Sequence, residues 1–322
     1  MDKRLSIMLP LMAATPEQLR PFLTLVSETP ATRLWTGQSL TIDHLMALAF
    51  LAGRGLRVPI GTGVNVMPLK HPYQTAVDFR TLALLLGQPV TAGLGLGHRQ
   101  VQRALTGRTY AGQLDAAREY LRVLRSLLSG SPVDADGRYF PMTGRMTRLQ
   151  HPPVEIGAGV LRPGMAQVAA ETADAAITWL VPLEYLSEEI LPVLTAKAAE
   201  AGRPRPRVVA IVPLVLDRPG RDTVEIAGLA TASRVRADHY ADMLRKAGIA
   251  AGPHESAQLV KELMARNVVL SGGARDVRGT LESYWRAGVD EVVLDTTGVV
   301  RKHGIRQARN DLEEVVLTHF GK

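Results

Sequence analysis

The chain contains no cysteine. That absence excludes disulfides, thiolate nucleophiles, cysteine-ligated zinc and iron–sulfur clusters together. Aromatic residues are scarce, at 5% of 322 residues, and no Lys/Arg block is interleaved with them as single-strand nucleic-acid binders require. No apolar run reaches the length of a bilayer span, and no signal-peptide pattern precedes the first apolar segment, so a cytoplasmic, soluble protein is expected. The sequence also has no G-x-x-x-x-G-K-[ST], no H-E-x-x-H and no G-x-S-x-G. Its 8 histidines are scattered without metal-ligand spacing, and no metal site is expected. A dinucleotide fingerprint fails as well, because the sixth position counted from Gly61 or Gly93 is Val66 or His98.

Positive charge is in excess, with 38 Lys and Arg against 31 Asp and Glu. The arginines are dispersed (Arg99, Arg103, Arg108, Arg118, Arg122 and Arg125, then Arg234, Arg236 and Arg245). A dispersed pattern favours a solvated basic surface over a nucleic-acid site. A phosphorylated, carboxylated cofactor needs only two or three such charges.

What is present is a strand–helix alternation along the whole chain. Strand-like runs occupy Leu5–Leu9, Arg33–Trp35, Val58–Ile60, Val90–Leu94, Val154–Ile156, Ala175–Leu180, Val208–Leu216 and Glu291–Asp295. Helical patterns fall between them at Pro16–Glu28, Leu40–Ala52, Pro72–Leu86, Gln113–Leu128, Arg162–Thr172 and Leu183–Ala201. A long helical region runs from Thr223 to Ala287, and Arg306–Thr318 closes the chain. Eight such units predict an α/β fold, a (β/α)8 TIM barrel formed as one domain over residues 1–322. Its irregularities are an insertion from Ser129 to Pro153, after the fourth unit, and extra helices before the last strand.

Glycines cluster where three successive strands end: Gly61 and Gly63, then Gly93, Gly95 and Gly97, then Gly157 and Gly159. Glycine lets a flat ligand approach the backbone, and the carboxyl ends of barrel strands form the ligand face. Each cluster alone reads equally as a tight βα turn; three on one face read as a cofactor floor. A phosphate would suit the start of the helix after Gly159, where backbone N–H groups and the macrodipole favour an anion.

Those residues resemble a known family. The run GTGVNVMPLKHPYQTAVDFRTLALLLG is similar to the bacterial-luciferase-like flavin and deazaflavin oxidoreductases. The resemblance continues through GLGLGH, YFPMTG, PPVEIGAG and ETADAAITW to SGGARDVRGTLESYWRAGVDEVVLD. Within the family the chain is most similar to the coenzyme F420-dependent branch, including methylene-tetrahydromethanopterin reductases. The resemblance implies a luciferase-like barrel with a non-prolyl cis peptide at Gly63–Val64, forming a bulge behind the deazaflavin ring. It implies that Gly61, Thr62, Gly63, Val64 and Asn65 back the ring and that Gly95, Leu96, Gly97 and His98 border it. Gly157, Ala158, Gly159 and Val160 would hold the phosphate with Thr178 and Trp179.

The second strand ends RLWTGQS and departs from the acidic or histidine pair of many relatives. That leaves Trp35, Gln38, His71 and His98 as catalytic candidates. Histidine titrates near neutral pH and can donate a proton. For His71 the competing reading is a helix cap before Pro72, and for Gln38 it is a cap of the helix beginning near Ser39 or Thr41. Trp35 competes as a pocket wall, and His98 as an ordinary loop residue. The expected activity is hydride transfer from F420H2 to an activated C=C or C=N bond of a small molecule or peptide. Short similarities to dehydroalanine reductases of lanthipeptide maturation point to a dehydroamino acid. The alternatives are an FMN-dependent two-component monooxygenase and a non-catalytic relative binding a cofactor or partner. The resemblance further implies a homodimer and a separate F420 or flavin reductase supplying reduced cofactor, with no nucleic acid or membrane partner.

Overall fold

Successive side chains of a strand point to opposite faces, and this alternation sorts the barrel interior from its outer layer. In the computed structural model, which describes residues 3–251 and 256–321, twelve strands form. They are β1 (Arg4–Met8), β2 (Leu34–Thr36), β3 (Ile60–Thr62), β4 (Asn65–Val66), β5 (Val90–Gly95), β6 (Val133–Ala135), β7 (Met142–Gly144), β8 (Val154–Gly159), β9 (Ala175–Trp179), β10 (Arg207–Leu216), β11 (Leu270–Gly272) and β12 (Glu291–Asp295). Strands β1, β2, β3, β5, β8, β9, β10 and β12 pair in parallel, each with the next, and β12 pairs back with β1. The ring is closed. Helices Arg20–Glu28, His44–Gly53, Pro72–Leu86, Gln113–Ser129, Pro163–Thr172, Leu191–Glu200, Ala274–Arg286 and Thr297–Phe320 surround it.

The barrel matches the sequence expectation strand for strand, and its departures are local. The 129–153 insertion carries an antiparallel hairpin, β6 with β7. The helical region expected over 223–287 is four helices (Thr223–Val235, Asp238–Lys246, Ala257–Ala265 and Ala274–Arg286) interrupted by β11, which extends the edge of β10. Residues 252–255 of that region lie outside the described residues. The closing helix begins at Thr297, and Gly304 (φ 81°, ψ 173°) breaks it. No helix among the described residues is long and apolar enough to cross a membrane.

Most buried apolar side chains belong to the layer between strands and helices. The interior is smaller and stratified. At its amino-terminal end lies a buried ionic layer of Arg33, Glu155, Arg207 and Glu291. Arg207 donates to both Glu155 oxygens, at 3.1 and 2.5 Å, and also to Glu291. Ser6 Oγ and Trp35 Nε1 donate to Glu291 at 2.6 and 2.7 Å, and Arg33 and Thr91 complete the ring. Two arginines and two glutamates balance in charge. Burial would raise the Glu155 pKa, but the Arg207 hydrogen bonds and charge, with Thr91 and Arg33, hold it below the usual carboxylate range. Above this layer, Met8, Trp35, Ala175, Ile177, Val209, Ile211 and Val293 fill the interior.

Candidate functional site

The glycine clusters divide by height in the barrel. A Cβ on Gly61 would meet the Trp35 indole at 2.6 Å, and one on Gly157 would meet Ile177 at 2.7 Å. On Gly93 it would strike the Thr62 carbonyl oxygen at 1.7 Å. These three glycines make room for the interior core and are not a ligand floor. Trp35 is fully buried among them with its Nε1 held by Glu291. It is therefore neither a catalytic residue nor a pocket wall. Thr62 is likewise turned from any ligand: its Oγ1 accepts from Gly93 N and donates to Gly93 O, both at 2.8 Å.

One residue higher, the chain bulges. β3 pairs with β5 at Gly61–Thr91 and β4 resumes at Asn65–Leu94, so residues 62–64 face only 92 and 93. The extra residue detaches the backbone from the ladder, and Thr62 Oγ1 satisfies the Gly93 groups it leaves behind. The Gly63–Val64 peptide within the bulge is cis, at the position the resemblance implied. A Cβ on Gly63 would meet Ile211 at 2.6 Å, so this residue too abuts the core. Val64 is half-buried and sits over Gly95 and Gly159, where a Cβ would meet it at 2.7 and 3.5 Å. This Val64 seat, rather than the lower glycines, is the floor of the barrel mouth.

Buried polar side chains are almost always hydrogen-bonded, so exceptions call for an explanation. Among the described residues, eleven buried side-chain polar atoms have no partner, including Thr36 Oγ1, Asn65 Oδ1, Trp179 Nε1, Asp295 Oδ2 and Thr296 Oγ1. These five lie in β4, at the last residue of β2, β9 or β12, or just past β12, the end of the barrel where ligands bind, whereas the other six lie elsewhere. Asp295 shares the inward parity of Glu291 and Val293 on β12. Its Oδ1 accepts from Thr297 N and Oγ1 at 2.9 and 2.5 Å, leaving Oδ2 free of protein. Sequence reasoning missed this carboxyl, although its place as the last inward residue of the eighth barrel strand was a usable signal.

The remaining candidates fall in different places. Gln38 Oε1 accepts from Val66 N and its Nε2 donates to Ser39 O, both at 3.1 Å. It ties the loop after β2 to β4, while Asp43 caps the following helix through Leu45 N and Met46 N. His71 is exposed, and its Nδ1 accepts from Tyr73 N at 3.2 Å as the N-cap of helix Pro72–Leu86. It is a cap, remote in role from the mouth. Thr178 faces outward and donates to Val209 O at 3.2 Å, and the Ala158 side chain lies in the outer core, so neither offers a side chain to a phosphate. The amide of Val160 is spent on Ile177 O at 2.8 Å. Leu96, Gly97 (φ 67°) and His98 form the loop beyond β5, and no side chain caps the helix that starts at Pro163.

His98 stacks on His239, with ring centroids 5.3 Å apart. The extra helices Thr223–Val235 and Asp238–Lys246 thus come over the mouth, and they touch it twice more: Arg162 Nη1 pairs with Asp242 at 2.8 Å, and the Arg234 guanidinium lies 3.4 Å from the Trp179 ring centroid. Nothing in the sequence signalled these contacts, which join segments far apart along the chain. Burial, then the neighbouring His98 and Arg162, push the His239 imidazole down to about 4, against the opposing pull of Asp238. An unfolded histidine titrates near 6.5. Between those values the unfolded chain binds a proton that the folded chain refuses, so stability falls as pH drops from about 6.5 toward 4. His44, whose pKa burial also lowers, acts in the same direction. Thermal melts should therefore show a declining Tm across that window. His239→Asn should recover part of the decline, on the order of 1 kcal/mol after solvent screening. Parallel pH profiles for the two proteins would refute the assignment.

The luciferase-like monooxygenase family model matches residues 9–291. The chain belongs to that family. Among relatives of this luciferase-like chain are a 5,10-methylenetetrahydromethanopterin reductase from Archaeoglobus fulgidus, 28% identical over 130 residues (40% of this chain, 39% of the relative). An F420-dependent glucose-6-phosphate dehydrogenase from Nocardia farcinica is 27% identical over 166 residues, 48% of each chain. The match thus spans less than half the length of these relatives. A phthiodiolone/phenolphthiodiolone dimycocerosates ketoreductase from Mycobacterium tuberculosis is 26% identical over 274 residues, 80% of this chain and 70% of the relative. In fold, the luciferase-like barrel superposes on an F420-dependent secondary alcohol dehydrogenase in complex with an F420–acetone adduct, with TM-score 0.79, 16% identity and 99% of both chains covered. It also superposes on the F420-dependent tetrahydromethanopterin reductase of Methanopyrus kandleri, with TM-score 0.72, 18% identity and 99% and 98% covered.

Proposed function

We propose that this luciferase-like chain is a coenzyme F420-dependent oxidoreductase, a reductase whose hydride acceptor is an activated C=C or C=N bond such as that of a dehydroamino acid. The observation that carries the reading is the Val64 seat over Gly95 and Gly159, on the same interior cluster against which Trp179 packs with its buried, unpartnered Nε1. A flat, apolar-faced ring with polar edges fits such a place, and an unsatisfied indole N–H suits an acceptor oxygen. Several relatives named above are F420-dependent, which favours the deazaflavin over FMN.

F420 would supply a hydride from its reduced C5 without readily activating O2. The protein's share is placement, exclusion of water and proton handling. Val64, Gly95 and Gly159 would set the ring's depth, and the Leu96–His98 loop would border it. The uncapped start of helix Pro163–Thr172, beside Gly157 and Gly159, would receive the phosphate. His98 and Asp295 Oδ2 are the groups at the mouth able to exchange a proton with an acceptor. We further propose that residues 1–322 act as one barrel domain in the cytoplasm and that a separate enzyme returns the spent cofactor to its reduced form. A homodimer is supported by the exposed Met46 and Phe50 of helix His44–Gly53 and the exposed Tyr73 of helix Pro72–Leu86, which packs against it, since exposed apolar side chains on packed elements mark interaction surfaces.

Titration with F420 and with FMN, each followed by quenching of the chromophore's fluorescence, tests the reading. F420 is expected to bind with a Kd of roughly 10 μM or tighter, about −7 kcal/mol, and FMN at least roughly tenfold more weakly. Tight FMN binding without F420 binding would transfer the protein to the monooxygenase reading. Binding of neither would leave a relative without this chemistry.

A further inference from the structure

The cap formed by residues 223–246 meets three successive loops of the mouth through one residue pair each: His239 on His98, Asp242 on Arg162 and Arg234 on Trp179. The charges in this cap are not alike. Arg162 and Lys246 share Asp242, at 2.8 and 3.1 Å, and are neutralised by it. Arg234 makes no ion pair among the described residues. Its guanidinium lies over an indole, 3.4 Å from the ring centroid, and hydrogen-bonds the neutral Tyr240 side chain, whereas the other cation–ring contacts among the described residues measure 5.4 to 5.8 Å. The indole beneath it has an unpartnered, buried Nε1. A half-buried cation without an anion, stacked on a donor without an acceptor, is one locus with two open claims on negative charge. With the Nε1 assigned to the edge of the ring, an anionic group of the same cofactor placed beside it satisfies the cation.

We propose that Arg234 grips the anionic tail of the bound cofactor, leaving the Trp179 face to form charge-assisted hydrogen bonds with the tail's phosphodiester or its terminal carboxylates. The inference rests on the F420 reading of the mouth and adds a residue to it. Arg234 sits near the carboxyl end of helix Thr223–Val235, on the cap rather than on the barrel, so its engagement would also hold the cap down over the ring. A guanidinium suits this exchange. It is always charged, stacks on aromatic faces, and presents a planar fork that matches phosphate and carboxylate. Cation–π attraction is weaker than a bidentate bond to an oxyanion, so the exchange runs toward the tail once a tail is present.

The full-length protein and its Arg234→Gln and Arg234→Lys variants would be titrated by fluorescence quenching with F420 and with the same chromophore lacking the tail, 8-hydroxy-5-deazariboflavin. Thermal melting would check that each variant is folded. Arg234→Gln is expected to weaken F420 binding by roughly tenfold or more while leaving the tail-less ligand unchanged. Arg234→Lys should retain part of the affinity, because it keeps the charge without the fork. F420 binding by the unaltered protein should weaken with salt, and by Arg234→Gln less so. Equal losses for both ligands, or no loss for F420, would show that Arg234 only packs the cap onto Trp179 and would overturn the proposal. If the unaltered protein bound the tail-less ligand as tightly as F420, the tail would have no grip and the proposal would fail while the F420 reading stood. If it bound neither, the F420 reading would itself be lost.

Discussion

Glu291→Ala is expected to destabilise the protein by about 3–5 kcal/mol. Glu291 is fully buried at the inward start of β12 and accepts from Ser6, Trp35 and Arg207, with Arg33 Nε 3.6 Å away. Truncation leaves Glu155 as the sole carboxylate for two buried guanidinium groups, and it orphans the indole N–H and the Ser6 hydroxyl. An uncompensated buried charge costs far more than the ion pair contributes, because the remaining group has neither water nor partner. Glu291→Gln keeps the shape and one acceptor oxygen and should cost less. For a chain of this length the alanine variant should melt roughly 4–7 °C lower, and calorimetry at neutral pH measures it directly. Melting within a degree or two of the unaltered protein would mean that water enters the barrel floor and that the ionic layer is not sealed.

That layer also shows where the sequence was legible and where it was not. The apolar cores of all eight barrel strands stood out because parallel strands are buried on both faces and read as continuous apolar runs. The polar residues at their starts, in RLW, VTA, VEIG, RVV and EVV, look like ordinary strand boundaries until closure of the barrel brings them together. β4 and β11 escaped for a related reason. Two or three residues of pairing carry no periodicity, and their partners lie elsewhere in the chain. The glycines misled in one respect: a position without a side chain looks the same in sequence whether a ligand or an indole occupies the space. Only the neighbouring Trp35 and Ile177 separate Gly61, Gly93 and Gly157 from Gly95 and Gly159. The functional readings of His98 and Val64 remain attached to the mouth, whereas Trp35 and His71 belong to the core and to a helix cap. Arg234, His239 and Asp295 enter through tertiary placement.

Gly93→Ala, one methyl group, is expected to cost about 3 kcal/mol and to abolish measurable cofactor binding. The new Cβ would lie 1.7 Å from the Thr62 carbonyl oxygen and 2.6 Å from Ile177 Cδ1. Ile177 can turn away, since its contact is the far end of a flexible side chain. The carbonyl cannot, because it belongs to backbone that Thr62 Oγ1 pins to Gly93 N and O at 2.8 Å. Relief therefore requires β3 to move off β5 just below the bulge. That displacement carries Val64 away from Gly95 and Gly159 and dismantles the seat on which the functional reading rests. Gly159→Ala supplies the control, because its Cβ would meet only ordinary contacts at 3.5 and 3.6 Å, and its Tm should change by no more than a degree or two. The two variants add the same atom to neighbouring strands of one barrel, so a difference between them reports local geometry and not the general burden of a methyl group. Equal melting temperatures would mean that the bulge is soft enough to absorb the clash. In that case the Val64 seat could not set the depth of a bound ring, and Gly93→Ala would bind F420 as the unaltered protein does.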